Sequence, residues 1–255
     1  MLPWVVDFPC EDDPRSGIKV RHIVSGNDGD VCISYVTHTI LSQASSAPLR
    51  CLDIGVDEGW WSLFVLDHFP NVVLDSFEPS PKSYATLLEH IGDDPRITLH
   101  NFAISDKTGL LPFTEDGGQS HSRCETSTRV PCEPISRFIG DGQIDLIKID
   151  TEGHDLIILN TLFPFLDKIS AIIFECTTYW NGRTEEECIS TTIDVLQRLK
   201  QSYAHMYMLS RRGEPTLTEF MDNQDIEDFA NSCYESTSQV DIVVSRTPIS
   251  LPNPA

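Results

Sequence analysis

The chain has 255 residues, with 18 Lys and Arg against 39 Asp and Glu, a formal charge of −21 with His neutral. A chain of that length can bury a core large enough to need no disulfide or metal staples. Its charge argues against nucleic-acid backbones, which are gripped through Lys and Arg, and against anionic membranes. No apolar run reaches the ~20 residues that span a bilayer. The start, Met1 to Asp7, lacks the basic stretch of a signal peptide. The eight cysteines are scattered with no Cys-x-x-Cys pair. They point to free thiols in a reducing, cytoplasmic setting and to no metal site.

Residues 1–47 carry Pro3, Pro9, Pro14 and a turn-rich Ser25 to Asp30. They are expected to form an N-terminal extension on the main domain, with 31–41 open between strand and helix. Regular alternation starts near 48. Leu49 to Ile54 reads as a buried strand, 60–69 as a helix closed by Pro70, and Val72 to Phe77 as the next strand. Ser80 caps a helix that has Pro81 at its first position and runs to Ile91. A third strand is expected over 97–104, a hairpin with a polar loop over 106–133, and a short helix over 135–139. A fourth strand follows over 144–149, a helix over 154–166 interrupted at Pro164, and a fifth strand over 169–174. The rest reads as a long helix over 184–201, strands at 203–209 and 240–244 with a helix over 223–232 between them, and a frayed tail over 248–255. The domain thus spans 48–247. It is an α/β fold, with a mostly parallel seven-stranded sheet and helices on both faces. Ligands bind such sheets at the carboxyl ends of the strands.

The first strand runs into Asp53-Ile54-Gly55-Val56-Asp57-Glu58-Gly59. Gly55 permits a tight turn, and Gly59 lets a helix pack close to the strand. Glu78 ends the second strand and is placed to accept the ribose hydroxyls of a nucleoside. A plain strand–helix turn and an exposed strand end are the simpler alternatives. A pyrophosphate at this helix start would meet Asp57 and Glu58 and be repelled. S-adenosyl-L-methionine has no phosphate, and its sulfonium and ammonium suit Asp53 and its acidic neighbours. Ala103 and Ile104, ending the third strand, complete the expected cofactor set.

The fourth strand ends in Lys148-Ile149-Asp150-Thr151-Glu152-Gly153-His154. With Asp53-Ile54-Gly55, Phe77-Glu78-Pro79 and the stretch Asn101 to Gly109, this resembles the FkbM-type S-adenosylmethionine-dependent methyltransferases. The resemblance covers about residues 48–176, with Val56-Asp57 where the family usually has Ala-Asn. It implies a Rossmann-like class I methyltransferase fold and methyl transfer to an oxygen, often on a sugar or glycan. In that architecture Asp150 sits where a base for the acceptor hydroxyl belongs, with Glu152 and Lys148 beside it. His154, Glu175 after the fifth strand, and His121 in the polar loop are the expected substrate contacts. Tyr179-Trp180 could stack on a sugar ring or serve an interface. A small-molecule or glycan partner follows from this, and self-association stays open. Two other readings compete: an NAD-type dinucleotide oxidoreductase, and a non-catalytic methyltransferase-like binding module.

Overall fold

The computed structural model describes residues 28–116, 119–121, 128–178, 183–209, 216–236 and 238–250. Eight strands form the main sheet. They are β1 (Leu49–Ile54), β2 (Val72–Phe77), β3 (Ile97–His100), β9 (Leu146–Ile149), β10 (Ala171–Thr177), β11 (His205–Leu209), β12 (Leu217–Glu219) and β13 (Gln239–Ser245). Their order is β12-β11-β13-β10-β9-β1-β2-β3. From β3 to β10 every pairing is parallel. β13 runs antiparallel to both β10 and β11, and β12 antiparallel to β11. The sheet is therefore mixed and has one strand more than the sequence suggested. The extra strand, β12, has three residues with a polar centre, too short for period-2 alternation to register.

The remaining strands lie outside this sheet. β4 (Ala103–Ser105), β5 (Gly109–Pro112) and β8 (Arg129–Pro134) form a three-stranded sheet, and β6 (Thr114–Asp116) pairs with β7 (Gln119–His121). The expected third strand thus breaks at Asn101-Phe102. The Asn101 amide donates to the Glu78 carbonyl at 2.9 Å, which ties the break to the end of β2.

Helices cover both faces. α1 (Asp28–Gln43), α2 (Trp60–His68) and α3 (Pro81–Ile91) are joined by α4 (Ser136–Ile139), α5 (Asp155–Leu162), α6 (Glu185–Ser202) and α7 (Asn223–Ser236). α1 settles the ambiguity over 31–41. Cys32, Ile33, Val36, Ile40 and Leu41 are buried at helical spacing, and the Trp61 indole donates to Thr37 Oγ1 at 2.9 Å. α1 and α2 share one hydrophobic cluster with β1, β2 and β13. The other face packs α4, α5, α6 and α7 against β9, β10 and β13. Pro164 does interrupt its helix: α5 gives way to a 3-10 helix, Phe163–Lys168. Ile249, in the expected frayed tail, is buried, and its N–H donates to the Tyr207 hydroxyl at 3.4 Å. Among the described residues no helix is long and apolar enough to cross a membrane.

β9 and β10 are buried along both faces, as central parallel strands are. Lys148 and Glu175 are the buried charged residues that break their apolar runs.

Candidate active site

The chain leaves β1 toward β2 and β3 on one side and reaches β9 and β10 on the other. Carboxyl ends of strands at such a switch point open a crevice. Here that crevice is a cleft walled by the loops after β1, β2 and β9 and by residues of the small sheet.

One wall is the loop after β1, where Ile54, Gly55, Val56 and Asp57 line the cleft. Gly55 has φ +83°, and a Cβ there would stand 1.8 Å from the Asp150 carbonyl oxygen. The glycine is dictated by the close approach of the β1 and β9 loops. Gly59, φ +86°, caps α2, and a Cβ there would meet Leu87 at 2.6 Å. It sets the packing of α2 on α3 and does not line the cleft.

Glu78 lines the cleft after β2 and is buried. Its carboxylate accepts the Asp57 N–H at 2.8 Å and the Ser80 N–H at 2.7 Å. It therefore laces the loop after β1 to the start of α3. Burial pushes its pKa up to about 7, against the pull of those two N–H groups.

The floor comes from β9. The Lys148 ammonium is buried, 3.3 Å from Asp150 Oδ2 and 3.8 Å from Asp53 Oδ1. Residues i and i+2 of a strand share a face, which brings Lys148 to Asp150. Burial alone would lower the Lys148 pKa, but the carboxylates of Asp150 and Asp53 more than reverse this and hold it above its ordinary value. Asp53 is fully buried beneath the floor and accepts the Ser62 hydroxyl at 2.7 Å. Its pKa rises to about 6 because burial outweighs Lys148 and Ser62. Asp150 lines the cleft with a third of its side chain exposed.

Beyond Asp150 the backbone turns through Glu152, φ 54°, and Gly153, φ 100°. Asp155 holds this turn. It accepts the N–H groups of Thr151 and Gly153 at 3.3 and 3.2 Å and the Thr151 hydroxyl at 2.8 Å. Burial pushes its pKa up to about 7. His154 lines the cleft with Nε2 3.0 Å from Ser105 Oγ, and that hydroxyl donates to Asp106 at 3.1 Å. Burial lowers the His154 pKa below its ordinary value, which favours the neutral ring. The small sheet supplies Ala103, Ile104 and Leu111, with Phe113 just beyond β5, and Trp60 and Phe77 add aromatic surface.

Nine of the expected site residues meet on this cleft: Gly55, Asp57, Glu78, Ala103, Ile104, Lys148, Asp150, Glu152 and His154. Asp53 and Gly59 stand behind it. Glu175 lies inside β10, because pairing with β13 carries that strand on to Thr177. Its carboxylate is joined to Glu152 through Gln239, whose amide nitrogen is 3.0 Å from each. His121 falls in the β6–β7 hairpin, with its side chain outside the described residues, as are Tyr179 and Trp180. Sequence reasoning missed Leu111, Phe113 and Gln239. The first two were visible only as hairpin residues. Gln239 was sought at no strand end, because it begins an antiparallel strand.

The chain matches the methyltransferase FkbM domain over residues 53–214. It is 30% identical over 107 residues to a protein of Sinorhizobium fredii (strain NBRC 101917 / NGR234) named 2-O-methyltransferase NoeI, a match covering 39% of this chain and 44% of that one. The alignment thus spans under half the length of that relative. Among solved structures, the plantazolicin methyltransferase BpumL, in complex with SAH, is 13% identical with a TM-score of 0.46, covering 93% of this chain and 92% of that one. A precorrin-6y C5,15-methyltransferase from Geobacter metallireducens GS-15 is 10% identical with a TM-score of 0.42, covering 83% and 87%. The domain match takes in well over half of the chain, from Asp53 under the floor through every cleft residue of β9. The chain belongs to the FkbM methyltransferase family.

Proposed function

We propose that the chain is an S-adenosylmethionine-dependent O-methyltransferase whose acceptor is a hydroxyl of a neutral, sugar-like molecule. The observation that carries this reading is the make-up of the cleft: apolar and aromatic walls, several carboxylates, and one ammonium already paired with two acids. Such a site fits a sulfonium nucleoside. A dinucleotide pyrophosphate would face Asp57 and Glu78, and among the described lining residues the one ammonium, Lys148, is already held by acids. The name of the Sinorhizobium relative supports transfer to oxygen.

S-adenosylmethionine, when bound, supplies a methyl group activated on a sulfonium. The chain supplies binding, orientation and a base. Each Glu78 oxygen accepts one backbone N–H and keeps a second lone pair, so the carboxylate can take ribose hydroxyls. Trp60, Phe77 and Ile104 offer flat and apolar surface for the base of the nucleoside. Asp150 takes the proton of the acceptor hydroxyl, and Lys148 holds its carboxylate in place. Glu152 and His154 flank it and orient the acceptor. Among the described residues, Cys51, Cys132, Cys176 and Cys188 are buried free thiols, which suits a reducing, cytoplasmic setting.

The test is transfer of a labelled methyl group to a panel of neutral sugars and glycans. Asp150→Asn should bind S-adenosylhomocysteine within about two-fold of wild type and lose transfer by about 10²-fold or more, the scale of a general base. Unchanged turnover would remove Asp150 from the mechanism. Methylation of amines or carboxylates alone would overturn the acceptor class.

A further inference from the structure

β13 runs antiparallel to β10, so its first residue and not its last falls at the cleft end of the sheet. That residue is Gln239, in register with Thr177. Its amide nitrogen lies 3.0 Å from Glu152 Oε2 and 3.0 Å from Glu175 Oε2. A primary amide nitrogen carries two hydrogens and can serve two acceptors at once. Gln239 therefore joins a carboxylate that lines the cleft to one that is 4% exposed behind it.

A second observation falls on the same residue. Glu152 has φ 54°, in the left-handed region that non-glycine residues rarely enter. Such a conformation persists only where the surroundings over-determine it. Asp155 constrains the turn through the N–H groups on either side of Glu152, and Gln239 constrains the Glu152 side chain.

We propose that Gln239 is a positioning residue that fixes Glu152 as the carboxylate facing the methyl acceptor, with Glu175 as its anchor. Oε2 of Glu152 is occupied by the amide, which leaves Oε1 for a hydroxyl of a neutral polyol. The acceptor role rests on the reading of the cleft as a methyltransferase site. A neutral donor is what this position requires. A carboxylate in its place would set three acids together and drive Glu152 away, while an aliphatic side chain would leave both acids without their shared donor.

Crystal structures of wild type, Gln239→Leu and Gln239→Glu, each at pH 5 and pH 8.5, test this without an acceptor. In Gln239→Leu the Glu152 carboxylate should leave its wild-type place at both pH values. In Gln239→Glu it should leave at pH 8.5 and return at pH 5, where the new carboxyl can hold a proton and donate it. A residue that merely supports the fold would shift the melting temperature and leave Glu152 in place at either pH. Glu152 unmoved in Gln239→Leu, or equally displaced at both pH values in Gln239→Glu, would overturn the proposal. Calorimetry with S-adenosylhomocysteine separates this from the reading of the cleft. Both variants should bind within two-fold of wild type, and a ten-fold loss would mean that Gln239 serves the cofactor instead. If wild type itself binds none, the methyltransferase reading fails, and the position of Glu152 still decides whether the clamp exists.

Discussion

Gly55 shows how one residue can carry two demands. The residues around it suggested a turn that brings backbone to a nucleoside. The structure adds that a Cβ here would overlap the Asp150 carbonyl at 1.8 Å, so the glycine also sets the spacing of β1 and β9 beneath the cleft. Gly55→Ala combines that overlap with a left-handed φ of +83°. It should cost upward of about 2 kcal/mol in urea unfolding and weaken S-adenosylhomocysteine binding. Gly142→Ala, with open space around it, should stay within about 0.5 kcal/mol. Equal costs at the two positions would mean that the close approach of Gly55 to Asp150 is not what demands the glycine. Lys148, Asp150 and His154 were legible because each sits at or just past a strand end. Asp53 was legible as part of the motif, but not as a group under the floor paired to Lys148. That placement depends on the register of Asp53 with Lys148 across two strands, and a linear motif does not carry register.

Among the elements, those whose ends are fixed locally were read with the least error. Thr184 caps α6 and forms a reciprocal capping box with Glu187, the threonine side chain taking the Glu187 N–H and the glutamate taking the Thr184 N–H. Thr184→Ala should cost about 1 kcal/mol, read as a lower denaturation midpoint at an unchanged slope. No change would mean that the cap contributes nothing. Ser80 and Pro81 set the start of α3 in the same way. Elements whose limits depend on distant neighbours were read less well. β10 runs three residues past its expected end because β13 pairs with it as far as Thr177. The expected third strand divides because β4 leaves the main sheet to pair with β8. Both outcomes turn on partners many residues away, and so does the clamp at Gln239.

At the scale of the whole molecule, acidity and burial act together. Asp53, Glu78 and Asp155 are pushed up to about 6, 7 and 7, in each case mainly by burial. Each keeps a proton in the fold at pH values where the unfolded chain has released it. Their contribution to stability is therefore full below the ordinary carboxylate range and is lost as the pH rises through 6 to 7. Burial raises Asp57 as well, while His154, lowered by burial, acts with the opposite sign. A net charge of −21 adds self-repulsion that weakens in acid. The melting temperature should thus be higher at pH 5.5 than at pH 8, by about 2–4 °C for each kcal/mol gained. A melting temperature that climbs with pH over this window would contradict the burial of these acids.

On the proposed reading, the acids that line the cleft, Asp57, Glu78, Asp150 and Glu152, favour a sulfonium nucleoside over a pyrophosphate. Titration calorimetry of the purified chain with S-adenosylhomocysteine and, separately, with NADH addresses this preference directly. S-adenosylhomocysteine should bind one-to-one with a Kd in about the micromolar range, near −8 kcal/mol, and NADH should give no heat. Binding of NADH with none of S-adenosylhomocysteine would contradict it.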